Sequence, residues 1–202
     1  MVSRLLIATG NPGKLRELRE LLSGIPFDIL SPADAGVETN VREDGNTYEE
    51  NAILKADALA QRSKLITLAD DSGLEVDALG GEPGIRSARF GGSGITDAQR
   101  NTILLERLKD VPFQQRTARF RCTMAIADPD GNVKTCDGVC EGLIALKPAG
   151  GLNFGYDPIF FLPGLGKTMA ELPVEIKNQI SHRALAAAKA RKLLDNFLQF
   201  NQ

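Results

Sequence analysis

The sequence predicts an α/β fold with an antiparallel piece in its middle. Three observations carry this. Apolar strand-like runs alternate with amphipathic helical stretches through the first hundred residues. Two long apolar-patterned runs flank Asp128-Pro129-Asp130-Gly131, a strong hairpin signal. Ser and Thr residues stand where helix caps are needed.

The elements follow in order. Val2 to Ala8 is an apolar run that reads as a buried strand. From Lys14 to Leu22, leucines at 15, 18, 21 and 22 line one helical face. Phe27 to Leu30 is a short strand entered through Pro26, and residues 31 to 46 form an acid-bearing loop. Thr47 and Glu50 have capping-box spacing for a helix to about Arg62, in which Ile53 can serve the core. Leu65 to Ala69 reads as a strand ending at Asp70-Asp71-Ser72-Gly73. Beyond the glycine-rich stretch 80 to 94, a helix spans Thr96 to Leu108. Strands over 117–127 and 133–146 form the hairpin, Ile159 to Leu162 is a further strand, and Ser181 caps a final helix reaching about Phe200. There is no internal repeat and no low-complexity linker.

Composition narrows the class. The 202 residues are 43% hydrophobic and 25% charged, with 24 basic against 26 acidic side chains. That balance suits a globular chain of one large domain or two lobes, and lacks the basic excess of a nucleic-acid-coating protein. No run approaches the roughly 20 apolar residues that span a bilayer. MVSRLLIATG does not have the order of a signal peptide, and a cytoplasmic protein is expected. Cys122, Cys136 and Cys140 include no CxxC pair, so they are expected to act as small buried apolar side chains.

The candidate chemistry begins with Ala8-Thr9-Gly10-Asn11-Pro12-Gly13-Lys14. Its spacing is neither a Walker A loop nor a dinucleotide-binding GxGxxG. Exposed N–H groups at a helix start, with Lys14 beside them, would still attract an anion. A plain strand-to-helix turn with Lys14 in solvent accounts for the same residues. Asn51 and Lys55 lie four apart and share a helix face. Asp70 and Asp71 are adjacent carboxylates that a cation or solvent must offset. Strand alternation sends them to opposite sides, and one of them with an acid such as Glu43 would suffice for Mg²⁺. Capping of a turn is the alternative. Near the carboxyl end, Phe154-Gly155-Tyr156-Asp157, Lys177 and Ser181-His182-Arg183 combine a ring for stacking with donors for a base carbonyl.

Taken together, TGNPGK, NAILKA, ADDSGLEVDALGGEPGIRSARF, FGYDPIFF and SHRA resemble the inosine/xanthosine triphosphate pyrophosphatases from about Leu6 to Leu194. The resemblance implies an elongated mixed sheet with flanking helices, two lobes around a central substrate cleft, within one domain over 1–202. It also implies a homodimer that hydrolyses non-standard purine nucleoside triphosphates with Mg²⁺ to the monophosphate and pyrophosphate. Thr9, Gly10, Asn11, Pro12, Gly13 and Lys14 correspond to the triphosphate loop, and Asn51 and Lys55 to the helix beside it. Asp71 corresponds to the general base and a metal ligand, and Ser72 to a substrate contact. Phe154, Gly155, Tyr156, Asp157, Lys177, His182 and Arg183 correspond to the base pocket. Glu43 is assigned as the second metal acid, although Arg42 stands where the family has another acid. A pyrophosphatase for other altered nucleotides and a non-catalytic nucleotide sensor are the alternatives.

Overall fold

The computed structural model describes residues 3–151 and 154–199. Its mixed sheet has seven strands in the order β2-β1-β3-β4-β5-β6-β7. They are β1 (Ser3–Ile7), β2 (Phe27–Leu30), β3 (Ile66–Val76), β4 (Thr117–Ala127), β5 (Val133–Ile144), β6 (Phe160–Leu162) and β7 (Lys167–Thr168). Five helices accompany them: α1 (Pro12–Leu21), α2 (Tyr48–Ser63), α3 (Asp97–Arg107), α4 (Val174–Ile180) and α5 (His182–Gln199). The expected strand start at Val2 and helix end at Phe200 lie outside the described residues. Contacts divide the chain into two compact units. The first holds residues up to Asp71, Cys122–Gly138 and His182 onward; the second holds Ser72–Arg121 and Val139–Ser181.

In the first unit β1 pairs in parallel with both β2 and β3, so α1 and α2 are crossover helices. Alternation along β1 decides where each helix packs. Leu5 and Ile7 enter a core with Leu18 and Leu22 of the α1 region and Ala186, Ala190 and Leu194 of α5. Leu6 and Ala8 enter the other, with Ala52, Ala56 and Leu59 of α2. The second unit has its own core, in which Leu104 and Leu108 meet Phe120, Ile144 and Phe160. Its strands β5, β6 and β7 pair antiparallel.

Several expectations change. The third strand does not end at Ala69: β3 runs eleven residues through Asp70, Asp71, Ser72 and Gly73 to Val76. Acids are disfavoured in strands, and cations from distant elements offset them here. The first helix starts at Pro12 rather than Lys14, because Asn11 caps it and proline suits the first helical position. The last part of 133–146 leaves the strand after Ile144, and Ile159 sits in a 3-10 turn before β6. Helix α4 and strand β7 are additions. Thr47 accepts from the Glu50 amide as expected, but the Glu50 carboxylate accepts from Asn46 N–H instead of closing a capping box. Cys122 and Cys140 are buried and Cys136 half-buried, all as free thiols.

Candidate active site

The alternation that sorts the cores also separates the two acids. Asp70 shares the side of Ile66 and Leu68, the α1 and α5 side; Asp71 shares that of Ala69, the α2 side. Each acid meets the cations of its own side.

Asp70 is 1% exposed. Lys14 Nζ lies 2.9 Å from its Oδ2, and Arg183 Nη2 lies 3.4 Å from the same oxygen. Arg183 is itself buried and donates through Nη1 to Glu17 of α1. Burial alone would push the Asp70 carboxyl up, but Lys14, Arg183 and Lys55 outweigh it and hold it well below the usual range. Asp70 is therefore a fixed anion that ties the first turn of α5 to the start of α1.

Asp71 is treated differently. Burial pushes its carboxyl above the ordinary value, and Lys55, Lys14 and Asn51 only partly reverse this. Asn51 Nδ2 donates to Asp71 Oδ2 at 3.2 Å, while Asn51 Oδ1 accepts from Gly45 N–H at 2.9 Å. A Cβ at Gly45 would lie 2.7 Å from that of Glu50, so only glycine lets the loop approach α2 this closely. The loop then delivers Glu43 to Lys55, whose Nζ lies 3.0 Å from Glu43 Oε2, 3.7 Å from Asp71 Oδ1 and 2.7 Å from the Asp70 carbonyl. Arg42 turns to Asp44 instead. Two carboxylates thus converge on one cationic point, with charge-splitting between adjacent acids of the kind that marks acid/base sites.

The glycine loop departs from expectation. Asn11 Oδ1 accepts from the Gly13 and Lys14 amides at 2.8 and 3.1 Å, and Thr9 Oγ1 accepts from Asn11 N–H. The first helical N–H groups are already satisfied by a side-chain cap, so an anion would have to displace Asn11. Gly10 and Pro12 are exposed beside them. A pocket of about 570 Å³ opens here, lined by Thr9, Asn11, Pro12, Leu15, Ser31 and Thr39 among others.

The remaining candidates belong to the second unit, apart from His182, which is buried at the start of α5. Ser72 follows Asp71 in β3 and is half-buried. Lys177 of α4 is buried, pairs with Asp157 at 2.7 Å and places Nζ 5.5 Å from the centre of the Phe154 ring. Tyr156 is buried and donates its hydroxyl hydrogen to the Ser87 carbonyl at 2.9 Å. Gly155 adopts φ +57°, a left-handed conformation suited to glycine.

Three residues of this site escaped the sequence reading: Asp70 as counter-ion, Glu17 as partner of Arg183, and Gly45 as loop anchor. Only Gly45 had a local signal, a glycine between the acids and the α2 cap. No group of three or more His, Cys, Asp or Glu that could hold a metal lies among the described residues. Nor does any described helix have the length and apolarity to cross a membrane.

A dITP/XTP pyrophosphatase of Geobacter sulfurreducens is 50% identical over 93% of this chain and 94% of its own length. That of Bacillus subtilis is 47% identical over 94% and 96%. A HAM1 protein of Coxiella burnetii, whose structure is solved, superposes with a TM-score of 0.87 at 38% identity, covering 96% of this chain and 99% of its own. A model of the Ham1 family matches residues 5–193, and the chain belongs to that family.

Proposed function

We propose that this chain hydrolyses non-standard purine nucleoside triphosphates, ITP, dITP and XTP, to the monophosphate and pyrophosphate. The single observation that carries the reading is the convergence of Asp71 and Glu43 on one cationic point, held there by Asn51, Lys55 and Gly45. Relatives about half identical over nearly the whole chain are dITP/XTP pyrophosphatases, which supports the substrate class.

The donor set suits Mg²⁺: Glu43 and Asp71 are hard carboxylates that both reach Lys55 Nζ, and a phosphate would supply further oxygen ligands. Bound there, the ion would neutralise phosphate charge and lower the pKa of a coordinated water. Asp71, held by Asn51 and facing Lys55, accepts the proton of the attacking water. Glu43 would be the second carboxylate to hold the ion. Water adds at phosphorus, the bond to the bridging oxygen breaks, and pyrophosphate leaves with that oxygen. Lys55 and Lys14 stabilise the departing charge, each by leaving a carboxylate for a phosphate oxygen.

Base selection falls to Phe154, Tyr156, Asp157 and Lys177 of the second unit. Phe154 supplies a stacking face, and donors aimed at a 6-carbonyl accept hypoxanthine and xanthine but meet adenine donor-to-donor. Arg183 is the partner of Asp70 and Glu17, so its truncation would disturb the packing of the first unit itself. A homodimer, a cytoplasmic location and a single functional domain belong to this proposal.

The test is a substrate panel of ITP, dITP, XTP, ATP and modified pyrimidine triphosphates, with and without Mg²⁺, scored for pyrophosphate against orthophosphate. Pyrophosphate from the 6-oxo purines alone is expected. Orthophosphate as the product, a pyrimidine preference, or binding without turnover would each overturn the reading.

A further inference from the structure

We infer that Asp97 and Asn101, on one face of α3, are positioning residues that set the turn carrying Phe154 and so tune recognition of the base. The inference rests on the base-pocket reading above. Asp97 Oδ2 accepts from the Gly155 amide at 2.8 Å, and Asn101 Nδ2 donates to the Gly155 carbonyl at 3.1 Å. The two side chains are four residues apart on a helix and therefore neighbours. Between them they hold both peptide groups that flank the Gly155 Cα. The amide belongs to the peptide joining it to Phe154, so its orientation fixes the direction from which Phe154 emerges.

Asp97 is braced in turn. Arg100 Nη1 donates to Asp97 Oδ1 at 2.7 Å and Arg100 Nε to the Phe90 carbonyl at 3.2 Å. A full capping box at Thr96 and Gln99 orders the helix start that bears Asp97. Asn101 is 3% exposed, and its Oδ1 has no hydrogen-bond partner among the described residues. Burying an unsatisfied carbonyl is costly, and flipping the amide would orphan the Gly155 carbonyl as well. The rest of the turn is pinned separately, Tyr156 through Ser87 and Asp157 through Lys177. Gly155, in its left-handed conformation, is the joint of that turn, and α3 is what holds it.

A merely structural role is a poor account of Asp97. Its side chain is 43% exposed, and a hydrogen bond made there adds little to the stability of a domain. Loosening it should leave the fold intact and let the Phe154 turn sample other orientations, at the expense of ligand binding.

The experiment compares wild type with Asp97→Ala, Asp97→Asn, Asn101→Ala and Phe154→Ala. It measures KM and kcat for ITP and ATP, thermal midpoint, and inhibition by inorganic triphosphate as a probe without a base. Asp97→Ala and Asn101→Ala should raise KM for ITP by about tenfold, the size of one lost hydrogen bond. They should leave kcat nearly unchanged, narrow the ITP-over-ATP preference, and leave inhibition by inorganic triphosphate as in wild type. Asp97→Asn should recover most of the loss, since its carboxamide oxygen can still accept from Gly155. Equal impairment in Asp97→Asn and Asp97→Ala, or a loss shared by inorganic triphosphate, overturns the inference. So does wild-type behaviour of Asp97→Ala beside an impaired Phe154→Ala, with the base pocket left standing. Wild-type behaviour of Phe154→Ala sinks the base-pocket reading itself, and the clamp with it.

Discussion

Neutralising either of two adjacent aspartates should have opposite effects on stability. Asp70→Asn removes a buried charge that faces Lys14 at 2.9 Å and Arg183 at 3.4 Å. Removing one partner of a buried pair costs about 3–5 kcal/mol, because the other charge is left uncompensated. Here Arg183 keeps Glu17, and the Lys14 side chain is 18% exposed, so the lower end applies, about 3 kcal/mol. For a chain of this length that is a fall of roughly 6–12 °C in thermal midpoint. Asp71→Asn keeps an acceptor for Asn51 and removes a charge that burial already disfavours, so its midpoint should stay or rise. Turnover should behave in reverse. Loss of the base costs on the order of a hundredfold or more, whereas folded Asp70→Asn should keep most of its activity. The assay is calorimetry and urea unfolding at pH 7 with chelator present, beside ITP turnover with Mg²⁺. The pH dependence has a definite sign. Because the folded Asp70 carboxyl lies below its unfolded value, its contribution is full above about pH 4 and shrinks as the pH falls further. The gap between wild type and Asp70→Asn should close in that window. Equal destabilisation by the two variants, or a gap independent of pH, would refute the division of roles.

Two further outcomes follow from the same geometry. Lys55→Met leaves Glu43 and Asp71 facing each other without the ammonium they share, so the metal-free variant should melt lower than wild type. Added Mg²⁺ should then raise its midpoint by more than it raises that of wild type; an equal rise would mean that the two carboxylates do not form the cation site. Gly138→Ala places a Cβ against the His182 carbonyl oxygen and 2.5 Å from the Ala186 amide nitrogen, backbone atoms of α5 that have little room to yield. Urea unfolding should show a loss of about 1–3 kcal/mol or more, against almost none for Gly164→Ala, where nothing lies within 4 Å.

Local chemistry made much of this fold readable. Leucine spacing marked α1, Thr47 and Thr96 marked the starts of α2 and α3, and the aspartate-glycine turn marked the β4–β5 connection. Alternation even foretold that Asp70 and Asp71 would part company. What it could not give was the length of β3, because the cations that make two acids tolerable in a strand come from α1, α2 and α5. Arg183 is 113 residues from the carboxylate it meets, a distance no local pattern spans. The Asn11 cap is a different case. Asparagine before proline is a helix-start signal in its own right, and it competes with an anion for the same N–H groups.

That competition bears on how a triphosphate could enter. The loop and helix donors named above already have partners: Lys14 has Asp70, Lys55 has Glu43 and Asp71, and the Gly13 and Lys14 amides have Asn11. A phosphate therefore gains only the difference between its own bonds and those it displaces, which tempers binding of any lone anion. The balance shifts when the carboxylates acquire another cation, for Lys55 is then released with its charge unspent. On this account the apo chain should bind inorganic triphosphate weakly and gain strongly on addition of Mg²⁺, and Asn11→Ala, which frees two amides, should narrow that gap. Isothermal titration of both chains with and without Mg²⁺ decides it. Tight Mg²⁺-independent binding by wild type would show that the carboxylates do not restrain the lysines.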